Sequence, residues 1–258
     1  MAYSPDYRAY PSAAGAPAAT AALDAGLRAY MLRVYNWMTS GLALTGIVAY
    51  AVANTSLRDL FYQRVVTPAG YGWQPTLLGL VSIFAPLVFV MVLSFGVNRL
   101  SRSTAQALYW AFAAAMGASL SNIFLMYTGA SIGRVFFITA GTFAAMSIFG
   151  YTTRTDLTRF GSFLFMGLIG IVLASIVNIF LGSTGLQFAI SIIGVLVFTG
   201  LTAYDTQRIK SDYVRYAYAD GTDGAAKRSV FDALSLYLNF INLFMLLLQL
   251  FGNRSSNN

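Results

Sequence analysis

Charged residues in this chain are clustered, with long apolar stretches between the clusters. No Asp, Glu, Lys or Arg occurs in residues 34–57, 65–98, 103–133, 135–153, 160–204 or 233–253. An α-helix rises 1.5 Å per residue, so about 20 apolar residues cross the ~30 Å hydrocarbon layer of a bilayer. Five of the runs hold one crossing each. The run 160–204 is long enough for two and is broken at Gly182-Ser183-Thr184-Gly185. The pattern predicts an all-α membrane protein, a seven-transmembrane-helix bundle with spans near 35–54, 76–97, 104–127, 133–152, 161–181, 186–204 and 230–251.

Composition agrees, and charge adds an orientation. Hydrophobic residues make up 57% of the 258-residue chain and charged residues 10%. Soluble domains carry about 25% charged residues, so this chain cannot coat a water-facing surface. With the N-terminus inside, twelve Lys and Arg fall in cytoplasmic segments, among them Arg28, Arg33, Arg99, Arg154, Arg208 and Lys210. Only Arg58, Arg64, Arg134 and Arg254 fall on the other side. That bias predicts N-in/C-out. Basic residues scattered at helix ends also explain the net charge of +7 without a nucleic-acid partner, which needs them gathered on one face.

Absences prune the chemistry. The chain has no Cys and no His, and all nine acids are Asp. Thiolate and imidazole catalysis are therefore excluded, as are Cys or His metal sites. A retinal-type receptor needs a lysine in its last helix, but Lys210 and Lys227 lie in or beside the last cytoplasmic loop. An intramembrane aspartyl protease needs a second Asp from a GxGD-like turn beside Tyr204-Asp205, and only ADGTDG in a loop is present. The expectation is a protein that is not an enzyme and has no cofactor.

Residues 1–30, rich in Ala, Pro and Ser, lack the basic start and apolar core of a cleaved signal. They read as a mobile cytoplasmic tail that gains some helix near Asp24–Met31, ahead of a transmembrane domain over 31–258. Residues 55–75 suit an ordered external loop with interfacial Trp and Tyr. Segments 118–129 (ASLSNIFLMYTG) and 174–185 (ASIVNIFLGSTG) share 8 of 12 residues at an offset of 56. Either helix pairs were duplicated, or both segments solve the same exit turn, with Asn122 and Asn178 bonding the last carbonyls. The pairs Ala114 and Ala118, and Gly170 and Ala174, allow close helix contact.

Polar residues inside spans are costly and therefore informative. In the last span, Asp232, Ser235, Asn239, Asn242 and Gln249 fall at i, i+3, i+7, i+10 and i+17, on one stripe of an otherwise apolar helix. Such a stripe faces the bundle axis or a watery cavity, or else glues helices together. Asp205, in TGLTAYDTQRIK, either marks an interior site or is the first charge outside the membrane, paired with Arg208 on the next turn. Arg99, in SFGVNRLSR, alone is an ordinary positive-inside anchor.

AYDTQRIK followed by ALSLYLNFINLFMLLLQLFG at the end of such a chain resembles the Bax inhibitor-1 (TMBIM) family, bacterial branch. The resemblance covers nearly everything after the tail. It implies a central last helix, a bacterial cytoplasmic (inner) membrane location and a pH-sensitive leak of calcium or other cations. In members with that switch, two Asp from helices six and seven share protons and an Arg from helix two latches the closed form. Asp205 matches the first Asp, and with it a possible calcium ligand; Arg99 matches the Arg. The second Asp is replaced: the family pattern LYLDFINLF reads LYLNFINLF here, with Asn239 at that position. Two facing carboxylates cannot easily both ionise, which makes a sensor; Asp facing Asn lacks that repulsion. Asp232 shares the stripe but lies ~10 Å from Asn239 along the axis.

The sequence thus predicts a cation path between helices two, six and seven. Asp205 is its gating carboxylate, Arg99 the closed-state counter-ion and Asn239 a neutral ligand, with Asp232 and Asn242 nearby. The rival reading is a non-transporting adaptor that binds a membrane-bound AAA protease through its tail and the loop Lys210–Arg228.

Overall fold

The computed structural model describes residues 15–67, 70–96, 99–216 and 221–255. In chain order the elements are α1 Gly15–Asn54, α2 Arg58–Phe61, β1 Tyr62–Thr67, β2 Gly70–Pro75, α3 Leu77–Gly96, α4 Arg102–Leu120, α5 Asn122–Met126, α6 Gly129–Thr152, α7 Thr158–Leu181, α8 Thr184–Tyr216 and α9 Gly221–Phe251. This is an all-α membrane architecture. Among the described residues, six helical stretches are long and apolar enough to cross a bilayer: α3, α4 with α5, α6, α7, α8 and α9. Helix α1 has the length, but Asn36, Thr39, Ser40, Thr45 and Asn54 dilute its apolar half. Its buried residues Val34, Met38, Ala49, Val52 and Ala53 face the bundle rather than lipid.

Two local expectations change. The boundary expected at residue 30 is not a structural one, because α1 is already helical at Gly15 and runs unbroken to Asn54. Leu27, Tyr30 and Met31 are buried, and Tyr30 stacks on Tyr213 of α8 at 4.8 Å. Residues 1–14 of the expected tail lie outside the described residues. Within the expected loop 55–75, α2 is followed by the antiparallel pair β1–β2, with Tyr62 opposite Pro75 and Thr67 opposite Gly70. Arg58 and Arg64 both lie over the Trp73 ring, at 4.7 and 5.2 Å, an attraction of cation to π-face.

Polar side chains set the helix ends. Ser101 caps α4 by accepting from Thr104 N at 3.2 Å. The span expected to be continuous over 104–127 breaks at Ser121, whose hydroxyl donates to the Ala118 carbonyl at 2.6 Å. Gly182, with φ of 59°, ends α7 in the left-handed conformation, at the break read from the sequence. Ahead of α7, Asp156 accepts from Thr158 N at 2.9 Å. The Thr158 hydroxyl and backbone N–H hold its carboxyl below the ordinary carboxylate value. A depressed folded-state value stabilises the fold above the unfolded value of about 3.9, and that contribution is lost only as pH falls into acid.

The bundle is organised around α9. In its apolar stretch 61% of residues are buried inside the protein, against 6% for α7. Helices α8, α1, α6 and α4 pack on α9, whereas α3 packs mainly on α4 and α7 on α8. Close approaches come from Gly117 against Thr45 and Val48, Gly150 against Ala203, and Gly161 against Tyr204. Gly170, expected at a helix contact, has open space where a Cβ would point, because α7 turns that face to lipid.

Candidate functional site

The polar stripe of α9 meets α8. Packing these two helices along their length places Ser235, Asn239 and Gln249 opposite polar groups of α8. Asp205 is 6% exposed, and its Oδ2 accepts a hydrogen bond from Asn239 Nδ2 at 2.7 Å. Its Oδ1 lies 3.1 Å from Arg208 Nη2 and has no other polar partner among the described residues. That contact is charge attraction without a directed hydrogen bond. A carboxylate so buried is tolerable only when its charge is matched, and the match here is one amide and one guanidinium. The Arg208 side chain is 33% exposed and also reaches Ser235 Oγ at 3.4 Å. Thr202 and Thr206 flank the acid, fully buried, each donating to the carbonyl four residues back.

The two readings of Asp205 are therefore both present: it pairs with Arg208, and it does so in the interior. Arg99 is elsewhere. It sits exposed in the turn after α3 and makes no ion pair among the described residues, because α3 packs on α4 and not along the α8–α9 seam. The guanidinium on Asp205 belongs to Arg208, and the expected grouping of helix two with six and seven around the acid is not the arrangement here. Asp232 is half-buried and accepts from Tyr30 Oη of α1 at 2.6 Å. Asn242 turns back on its own helix, donating to the Leu238 carbonyl at 2.8 Å. The structure brings together Asp205 and Asn239; Asp232, Asn242 and Arg99 stand apart from them.

A second polar cluster closes the other end of the seam. Gln249 Oε1 accepts from Gln187 Nε2 at 2.6 Å and from Ser191 Oγ at 2.9 Å. Gln187 Oε1 in turn accepts from Asn178 Nδ2 of α7 at 3.1 Å. Sequence reasoning named Gln249 but missed Gln187 and Ser191, although both lie inside a charge-free run where any polar residue is a signal. Ser191 and Asp205 are fourteen residues apart on α8, roughly 20 Å. Between them the seam is filled by Val197, Phe198, Leu201, Leu243 and Leu246, all buried. Two hydrogen-bonded polar ends therefore enclose an apolar plug. Among the described residues no three acids gather in a metal-binding group. Asp205 is one carboxylate with one amide beside it.

Comparison with known proteins agrees with the C-terminal motif. The family model "Inhibitor of apoptosis-promoting Bax1" matches residues 27–256. The chain is 49% identical to the inner membrane protein YbhL of Escherichia coli over 232 residues, 89% of this chain and 94% of that protein. It is 48% identical to an uncharacterized protein of Caulobacter vibrioides over 248 residues, 95% of this chain and 96% of that one. An uncharacterized membrane protein of Streptococcus pyogenes is 36% identical over 229 residues, 89% of this chain and 94% of that one.

Proposed function

The chain belongs to the Bax inhibitor-1 family, and from the acid buried between α8 and α9 we propose that it conducts cations passively across a bacterial cytoplasmic membrane, with calcium the principal cargo. One observation carries this reading: Asp205 is 6% exposed yet held only by Asn239 and Arg208, on the seam of the most buried helix. A purely structural seam is built more stably from apolar residues, since a buried ion pair costs desolvation. In this reading the conformation described is the resting one. Arg208 and Asn239 occupy the carboxylate, and the apolar plug from Val197 to Leu246 blocks the seam.

Opening requires Arg208 to swing toward the solvent it already touches, freeing Asp205 Oδ1 for a cation. Arg208 thus takes the counter-ion role that the resemblance gave to Arg99. Calcium takes about six to eight oxygen ligands; one carboxylate and one amide supply few of them, so the ion keeps part of its water shell and binds weakly enough to leave. Asp232 and Asn242 are secondary groups on the same helix face. We further propose that α1 crosses as a seventh span, with the N-terminus cytoplasmic, as the positive-inside bias of the loops supports.

The test is calcium entry into liposomes carrying the purified protein, wild type beside Asp205→Asn. Wild-type vesicles are expected to admit calcium above protein-free vesicles, and Asp205→Asn to fall back to their level. Purified wild type that passes no cation removes the leak and leaves the adaptor reading, in which the N-terminal tail and the segment Lys210–Arg228 dock a membrane-bound AAA protease.

A further inference from the structure

Helices α1 and α6 both pack on α8 and α9 but barely touch one another, and a cleft of about 1030 Å³ separates them. Its walls are Met31, Leu32, Tyr35 and Met38 of α1 and Phe143 and Ala144 of α6, with Phe240 of α9 as the floor. On α1 the lining residues recur at three- and four-residue spacing, one continuous face of the helix. That face is apolar apart from a few groups, and their placement is not random. Arg28, the one charged residue of the lining among the described residues, stands at the end where α1 is nearest Asp232. It is exposed and in no ion pair among the described residues. Across the mouth, Lys210 Nζ donates to the Tyr151 carbonyl at 2.8 Å and lies 5.0 Å from the Tyr151 ring centre, and Tyr151 is itself part of the wall. One helical turn deeper, about 6 Å, the Ser147 hydroxyl of the wall is buried without a hydrogen-bond partner among the described residues.

We propose that this cleft is a binding site for one anionic phospholipid, its phosphate between Arg28 and Lys210, an ester carbonyl on Ser147 and an acyl chain along α1. The order of groups matches the order within a phospholipid: anion at the surface, ester oxygens just below it, hydrocarbon beneath. On α1 the lining runs from Arg28 to Ile47, roughly 28 Å, so an acyl chain filling the ~15 Å of one leaflet takes the half next to Arg28. Two cations at one mouth favour an anionic over a zwitterionic headgroup, and an orphaned buried hydroxyl is costly until an acceptor reaches it. The leaflet follows from the orientation proposed above, but the binding does not depend on the leak.

The experiment is native mass spectrometry of detergent-purified, delipidated protein titrated with phosphatidylglycerol or phosphatidylcholine carrying identical chains. Wild type is expected to hold phosphatidylglycerol roughly tenfold to thirtyfold more tightly, since each of two cations near the headgroup contributes up to about 1 kcal/mol. Arg28→Gln with Lys210→Gln should remove that preference while leaving residual binding of both lipids. Ala144→Phe, at an exposed lining position, should weaken both lipids together. Equal binding of the two lipids by wild type overturns the proposal, as does a preference that survives the double substitution. Flux is not measured, so a failed leak reading and a failed lipid site give different results.

Discussion

A single acid pairs with an amide at one end of the buried α8–α9 seam, and the proposed leak is expected to take its pH behaviour from that substitution. Asn239 donates to Asp205 at 2.7 Å, so the position where the family resemblance expects a second carboxylate instead carries a hydrogen-bond donor. With one acid at the contact and a guanidinium against it, wild-type leak is expected to change less than about twofold between pH 6 and 8. Asn239→Asp puts two carboxylates in contact. Such a pair holds one proton at the acid end of that range and is pushed apart when it loses it, so leak through Asn239→Asp should rise steeply from pH 6 to 8. Flux traces for the two proteins across that range check this; parallel flat profiles would count against the site. Arg99→Ala should leave resting leak within about twofold of wild type, since Arg99 makes no ion pair among the described residues. A several-fold rise would restore Arg99 as the latch. Asp205 and Asn239 were legible in the sequence because polar residues on an apolar helix stand out. The choice between Arg208 and Arg99 was not, because both end apolar runs and only packing decides which one reaches the acid.

Elements were legible wherever hydrophobic runs set their length. The expected spans 76–97, 133–152 and 161–181 match α3, α6 and α7 to within a few residues, and the Gly182 break falls where the turn chemistry placed it. What escaped was structure set by single side chains or by pairing at a distance: the Ser121 break, the β1–β2 hairpin, and the start of α1 at Gly15. The small-residue contacts also had to be seen, since spacing alone did not separate a packed glycine from one facing lipid. This gives a paired expectation. A Cβ on Gly150 would strike the Ala203 backbone of α8, with the carbonyl carbon at 2.9 Å. Gly150→Ala should therefore cost about 1–3 kcal/mol, as overpacking does, and lower the thermal midpoint in detergent. A Cβ on Gly46 meets nothing within 4 Å, so Gly46→Ala should hold or slightly raise that midpoint, by up to about 1 kcal/mol of helix propensity. Equal midpoints for the two variants would contradict the α6–α8 packing.

At the scale of the whole molecule, the apolar runs and charge bias predicted a polytopic bundle, and the bundle's centre is the helix with the most polar stripe. Physical logic links the two: a helix surrounded by others has little lipid-facing surface and accommodates Asp232, Asn239 and Gln249 against partners on neighbouring helices. The same logic explains why α1, half-covered by α4, α8 and α9, is less apolar than a lone span. Its crossing is testable because the chain has no native cysteine. Single cysteines at exposed Asp24 and Thr55 should label from opposite faces of the membrane, Asp24→Cys from the cytoplasm; labelling from one face would leave six spans. The central claim, that Arg208 holds a cation-conducting acid shut, meets its most direct test in calcium flux at pH 7 through Arg208→Gln, with and without Asp205→Asn. Losing a pair between a buried acid and a guanidinium one-third exposed, worth about 1–2 kcal/mol, shifts the open fraction roughly tenfold. Arg208→Gln should therefore leak about ten times faster than wild type, and adding Asp205→Asn should return flux to that of protein-free vesicles. Flux through Arg208→Gln equal to wild type, or persisting undiminished when Asp205 is neutralised, would contradict it.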